Sequence, residues 1–253
     1  MNGFNERINS HKTENRKTLE RKTINIMRKI IIIGGSRGIG KAIAMALLPS
    51  HHIINISRSM PEYSHANLSH HNCDVTTSDL PEIDEADGLI YCPGSINLKP
   101  FKRLSLEDFR SDFEINVMGA VKAIQNYTPA LSKSDSGSII LFSTVATSLG
   151  MPFHASIATA KSAVEGLTKS VAADLAPNIR VNAIAPTITE TDLAAKLLRN
   201  DRMVENTIQR HPLKKFLVPS EVAAMAEYLI SDKSKSISGQ VFKLDCGIVS
   251  LKI

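Results

Sequence analysis

The chain has 253 residues, 43% hydrophobic and 22% charged, enough to bury the core of one large domain or two small ones. Its densest aliphatic run, Ile30–Ile33, is far short of the ~20 residues of a membrane span, and Met1–Ser10 lacks the apolar stretch of a secretory signal. The net charge is +5, but residues 1–26 hold six basic residues against three acidic ones, so the remainder is nearly neutral and carries no basic-aromatic stripe for nucleic acid.

Residues 1–26 are polar and without apolar periodicity, and are expected to form a flexible basic extension. Met27 stands directly before the first strand, so the native product is expected either to start there or to carry a solvated tail. From Arg28 onward short β-branched runs alternate with helical patterns. Strands are expected at Lys29–Ile33, Ile53–Ser57, Ser69–Cys73, Gly88–Cys92, Ser138–Ser143, Arg180–Ala185 and Gln240–Leu244. Helices are expected at Gly38–Leu48, Ser105–Leu131, Ile157–Ala176, Glu190–Gln209 and Ser220–Ser231. The strands are apolar throughout rather than alternating, as in a parallel sheet covered on both faces. The expectation is a single α/β domain over 27–253, a doubly wound Rossmann-type fold with seven parallel strands. Connections Arg58–Leu68 and Val75–Asp87 are short for such a fold, so helices there are expected to shrink to a turn or two. Cys73, Cys92 and Cys246 are odd in number and contain no C-x-x-C, which points to a reducing, cytoplasmic compartment.

The first strand runs into Gly34-Gly35-Ser36-Arg37-Gly38-Ile39-Gly40 and then a helix. Glycines at 34, 38 and 40 allow a tight turn, close approach to a pyrophosphate and close helix–strand packing, with the helix N-terminus facing the anion. An NAD site usually carries an acid at the end of the second strand. Here the segment reads Asn55-Ile56-Ser57-Arg58-Ser59, and Arg58 with Arg37 offers guanidinium forks to a ribose 2′-phosphate, favouring NADP(H). Each arginine taken alone is also an ordinary surface cation.

These elements resemble the short-chain dehydrogenase/reductase family, in the style of its 3-oxoacyl-[acyl-carrier-protein] reductases, over residues 28–253. The family's T-G-x-x-x-G-x-G is matched at Gly34, Gly38 and Gly40, with Ile33 in place of threonine. The resemblance implies an adenine contact at Asp74 and Val75, and a nicotinamide site that includes Gly94, Pro186 and Thr191. It also implies that Lys161 holds the nicotinamide ribose hydroxyls first and acts catalytically second, and that Asn116 belongs to the catalytic group. It implies further that the substrate is a small molecule, and that homodimers or homotetramers assemble through Ser105–Leu131 and Ile157–Ala176.

The family's Tyr-x-x-x-Lys is altered. Lys161 is the lysine, but four residues earlier stands Ile157, and thirteen before that Thr144 replaces serine. Isoleucine has no proton for the alkoxide that hydride transfer creates, and general acid assistance is worth roughly 10²–10⁴ in rate. Two groups are candidates to replace it. His154 lies two helical turns before Lys161, an offset like the tyrosine–lysine spacing of the family's enoyl reductases, and is otherwise a loop histidine without chemistry. Tyr91 ends the fourth strand and is otherwise a packing aromatic. A conjugated or cationic acceptor needs no acid at all. The sequence therefore supports an NADP(H)-dependent oxidoreductase with a non-standard proton donor, or a non-catalytic NADP(H)-binding sensor or interaction partner. The histidines form no metal-ligand pattern. Apolar residues spaced through Thr187–Arg210 suit either a lid over an apolar substrate or packing onto the body.

Overall fold

The computed structural model describes residues 27–252; the extension expected over 1–26 lies outside them. Seven parallel strands form one sheet: β1 Arg28–Ile33, β2 His51–Ser57, β3 Leu68–Asn72, β4 Gly88–Tyr91, β5 Gly137–Phe142, β6 Ile179–Pro186 and β7 Val241–Leu244. Their order is β3-β2-β1-β4-β5-β6-β7. Every expected strand is present, with ends displaced by at most two residues. The order reverses between β1 and β4, where Ile33 pairs with Tyr91, and a crevice opens there beyond the strand carboxyl ends.

The isoleucine run explains the two-sided core, because successive side chains of a strand point to opposite faces. Ile31 and Ile33 join Leu89, Ile139, Leu141 and Tyr127 on one face. Ile30 and Ile32 join Ile43, Leu47, Val222 and Leu229 on the other. Helices α1 (Gly38–Leu47), α2 (Leu106–Phe113), α3 (Gly119–Leu131), α4 (Ala155–Leu175), α5 (Asp201–Arg210) and α6 (Pro219–Ile230) supply the covering layers.

Three expectations need correction. The connections β2–β3 and β3–β4 hold no helix at all. Leu80 and Ala86 reach the core directly from an irregular segment, while Tyr127 donates to the Pro81 carbonyl at 3.0 Å and Lys122 to that of Ser78 at 2.7 Å. Side chains from α3 thus do what a crossover helix would do. Residues 190–209 are not one helix: a 3₁₀ turn over Asp192–Leu197 precedes α5, whose N-cap Asn200 accepts from the Met203 N–H at 3.0 Å. The cap side chain and extended backbone at Asn200 restart the helix there.

The helix expected over Ser105–Leu131 is interrupted by a π turn at Glu114–Met118. A π turn inserts one residue and shifts the side chains beyond it, a frequent device at functional sites. The buried Tyr91 hydroxyl donates to the Ile115 carbonyl inside this turn at 2.6 Å. It also explains a glycine, since a Cβ on Gly119 would stand 2.2 Å from that hydroxyl oxygen. Tyr91→Phe should therefore lower unfolding stability by about 1–3 kcal/mol, the cost of leaving a buried carbonyl without its donor. Urea unfolding checks this; an unchanged midpoint would show that the turn does not need the bond.

Candidate active site

At the mouth of β1 the backbone turns through Gly34 and Gly38, both with positive φ (+81° and +52°). A Cβ on Gly40 would stand 2.2 Å from the Gly34 carbonyl oxygen, so only glycine lets α1 start this close to the strand. Arg37 precedes α1 without a side-chain cap, and the first turn carries no acidic residue, which leaves the helix N–H groups for an anion. The turn is held from the β2 side. Asn55 Oδ1 accepts from the Gly35 N–H at 3.0 Å, Tyr63 donates to the Gly35 carbonyl at 2.7 Å, and the hydroxyls of Ser36 and Ser59 meet at 3.3 Å. Asn55 and Tyr63 were not singled out by motif. The signal for Asn55 was an amide inside the apolar run of β2; Tyr63 offered none.

The β2–β3 side of the crevice follows. Ser57 is buried at the end of β2 and donates to the Ser59 carbonyl at 3.0 Å. Asp74 takes the Thr76 hydroxyl at 2.6 Å and the Thr76 N–H at 3.0 Å, bonds that hold its carboxyl below the usual range. Arg58, with 74% of its side chain exposed, lies 4.0 Å from the other Asp74 oxygen. An ion pair this long and exposed is weak, so the guanidinium is free to turn to a phosphate. Val75 is buried beneath, and Arg37 is exposed on the facing loop.

At the other end Lys161, Asn116 and Gly94 converge. A Cβ on Gly94 would lie 3.2 Å from Asn116 Oδ1 and 3.5 Å from Lys161 Nζ, so the missing side chain leaves room between the two polar atoms. Lys161 is 8% exposed and donates to the Phe142 carbonyl at 2.8 Å. Burial pushes its ammonium down from 10.5 to about 8, partly opposed by Cys92 and Asp112. Because the folded value lies below the unfolded one, holding the ammonium costs stability below pH 8, and that cost is relieved as pH rises towards 10.5. Asn116 is 1% exposed, and its Oδ1 has no hydrogen-bond partner. Thr144 Oγ1 accepts from the Ala146 N–H at 3.3 Å, which leaves its O–H to donate elsewhere. Pro186 ends β6, and the Thr191 methyl lies 3.4 Å from where a Gly38 Cβ would be, closing the β6 loop onto the phosphate turn.

A nicotinamide dinucleotide fits these residues: the uncapped helix end would hold its pyrophosphate, and the glycine gap with an orphaned acceptor and a buried cation would hold its ribose. Among the described residues no cluster of His, Cys, Asp or Glu suits a metal ion.

The position of the usual tyrosine is filled by Ile157, 5% exposed. Tyr91 is engaged with the π turn, and burial pushes its hydroxyl well above the ordinary range, which makes it a structural group. His154 caps α4, its Nδ1 bonded to the Pro152 carbonyl at 2.7 Å. It lines a cavity of about 560 Å³ with Lys99, Phe101, Met151, Phe153 and Thr159, and neither Lys161 nor Ile157 lines that cavity. α4 starts at Ala155, so His154 stands one residue outside it, with its imidazole turned to its own loop. Beyond the β6 loop, α5 has no fully buried residue. It is latched by His211, whose Nδ1–H faces the Thr207 carbonyl at 2.7 Å and whose Nε2 meets the Thr187 hydroxyl at 2.7 Å.

Comparison with known proteins agrees with this geometry. Residues 70–249 match a family model described as enoyl-(acyl carrier protein) reductase. A 3-oxoacyl-[acyl-carrier-protein] reductase of Synechocystis is 30% identical over 243 residues, covering 87% of this chain and 96% of that protein. The 3-oxoacyl-[acyl-carrier-protein] reductase MabA of Mycobacterium tuberculosis is 28% identical over 233 residues, covering 88% and 93%. Among solved structures, a short chain dehydrogenase family protein from Francisella tularensis superposes with TM-score 0.81 at 26% identity, covering 89% and 100%. The aldohexose dehydrogenase of Thermoplasma acidophilum gives 0.81 at 26%, covering 90% and 96%. With the sheet order, the glycine turn and the lysine–asparagine pair all in place, the chain belongs to the short-chain dehydrogenase/reductase family.

Proposed function

We propose that this family member is an NADP(H)-dependent oxidoreductase that reduces a small carbonyl or conjugated substrate, or oxidises the corresponding alcohol, with Lys161 in place of the phenolic proton donor. The observation that carries this reading is the convergence of Lys161 Nζ and the unpartnered Asn116 Oδ1 on the gap at Gly94. A nicotinamide held there supplies or accepts the hydride. The chain's own groups handle the charge. Hydride addition leaves negative charge on the substrate oxygen, and the Lys161 ammonium, poorly hydrated and beside the apolar Ile157, stabilises it and returns a proton to it. An amine brought down to about 8 is matched to such a transfer near neutral pH. The Thr144 O–H orients the substrate oxygen, while Asn116 Oδ1 accepts from a hydroxyl or water that resupplies the lysine.

Arg58, Arg37, Ser57 and Ser36, on two loops joined by the serine pair, form the 2′-phosphate subsite. Ile39 packs at the start of α1, and Asp74 with Val75 borders the adenine. The partly exposed Leu193, Leu197, Leu198 and Met203 above the crevice suit an apolar substrate. This agrees with relatives named for oxoacyl chains. Leu106, Phe113, Met118 and Phe153 are exposed on α2, the π turn and the approach to α4, the surface through which we expect two copies to pair in the cytoplasm. The buried Ile157 favours a second reading, a non-catalytic NADP(H)-binding partner, which differs by binding coenzyme without oxidising it.

Fluorescence titration should show NADPH bound at least about tenfold more tightly than NADH, and Arg58→Ala should narrow that ratio by a charge-assisted phosphate contact. Equal affinities would remove the NADP(H) assignment. In a screen of carbonyl, enone and imine substrates, NADPH oxidation should fall as pH rises through about 8, because the ammonium is lost there. A rate unchanged up to pH 10 would exclude Lys161 as the proton source.

A further inference from the structure

Asp112, in the last turn of α2, is only 2% exposed, and the chemistry above makes no use of it. Its carboxylate takes two hydroxyls: Ser95 donates to Oδ1 at 2.6 Å and Ser156 to Oδ2 at 2.5 Å. Its backbone carbonyl accepts from Asn116 Nδ2 at 2.7 Å, and the same nitrogen donates to Ser95 Oγ at 3.0 Å. A carbonyl only accepts, so the Asn116 atom facing it is the NH₂ end. Both amide hydrogens are engaged, the amide cannot flip, and Oδ1 is left facing the gap at Gly94. One residue thus joins the three segments that carry the site, its carboxylate the loop after β4 and α4 one residue before Ile157, its backbone carbonyl the π turn.

Hydroxyls alone do not neutralise a carboxylate withdrawn from water. Lys161 is the buried cation of the same corner: its Nζ and the Asn116 Oδ1 that Asp112 helps to orient both border the gap at Gly94, and the carboxylate raises its proton affinity. The other group acting on Lys161 is the Cys92 thiol, which burial pushes up to about 12, so it stays neutral while the lysine titrates. Neighbouring carboxylates have their own partners. Glu165 accepts from Ser143 and Thr147 at 2.6 and 2.7 Å; Asp108 accepts from Lys99, Asn97 and Ser105. The imidazole of His154 is turned to Pro152. We propose that Asp112 is a positioning residue, locking the Asn116 amide through Ser95 and its own carbonyl and serving as the buried counter-charge of Lys161. This rests on Lys161 being the cation of the site.

The test needs no coenzyme or substrate. In ¹³C-lysine-labelled protein, with the Lys161 Cε signal assigned by its loss in Lys161→Met, pH titration reads the ammonium directly. Asp112→Asn keeps the shape and removes the charge, and should lower the Lys161 midpoint by about one pH unit, tenfold in proton affinity. Ser156→Ala keeps the charge and should leave the midpoint nearly where it was. Equal shifts in the two variants, or none in Asp112→Asn, would overturn the proposal. In the unsubstituted chain the Asp112 Cγ signal should step at the Lys161 midpoint and lose that step in Lys161→Met. A Cγ blind to Lys161 overturns the proposal even if Asp112→Asn does not fold. Coupling observed in a chain that fails to oxidise NADPH would discard the reductase reading and leave this one standing.

Discussion

An ammonium taken out of water is the constraint around which the crevice is arranged. Lys161 is carried into the core side of α4, where desolvation works against its charge, and the groups around it answer that cost. The Phe142 carbonyl takes one N–H, the π turn brings Asn116 and Asp112 to the same corner, and the loop after β4 leaves a side-chain-sized gap at Gly94. Ile157 belongs to the same logic. An apolar neighbour in place of a phenol removes a hydrogen-bonding group and lowers the local polarity, so the remaining positive charge acts on a nearby oxygen with less screening.

The sheet makes this corner possible. Reversal of strand order between β1 and β4 opens the crevice, and the phosphate turn on one side and the lysine corner on the other are fixed from different directions. The turn is gripped from β2 by Asn55 and from the β2–β3 connection by Tyr63. The same chain that has dispensed with two crossover helices uses single side chains, Tyr63 and Tyr127, to tie down the segments that replace them. The glycine turn is therefore held in a trimmed frame.

The parts visible in the sequence were those encoded by local pattern: apolar runs for strands, glycine spacing for the turn, the lysine and its missing tyrosine. What was not visible depends on contacts between distant residues. The π turn has no composition of its own; it is held by the distant Tyr91 hydroxyl on the Ile115 carbonyl and by the Asn116 amide reaching back to Asp112 in α2. Asp112 sits among charged residues in α2 and carries no motif, and only the approach of Ser95 and Ser156 shows that it is buried. His154 shared a helical offset with Lys161 on paper. The helix begins at Ala155, and the imidazole turns back to its own loop.

If the lysine corner is a working site in which the Lys161 ammonium stands in for the phenol, a phenol added beside it should strengthen the same proton transfer. Ile157→Tyr, assayed for NADPH oxidation with simple ketones, should raise turnover by about 10²–10⁴, the usual worth of a placed general acid, with NADPH affinity unchanged. A folded Ile157→Tyr chain that binds NADPH as before and gains no turnover would contradict the account, because the corner would then not be arranged for proton transfer to a substrate oxygen.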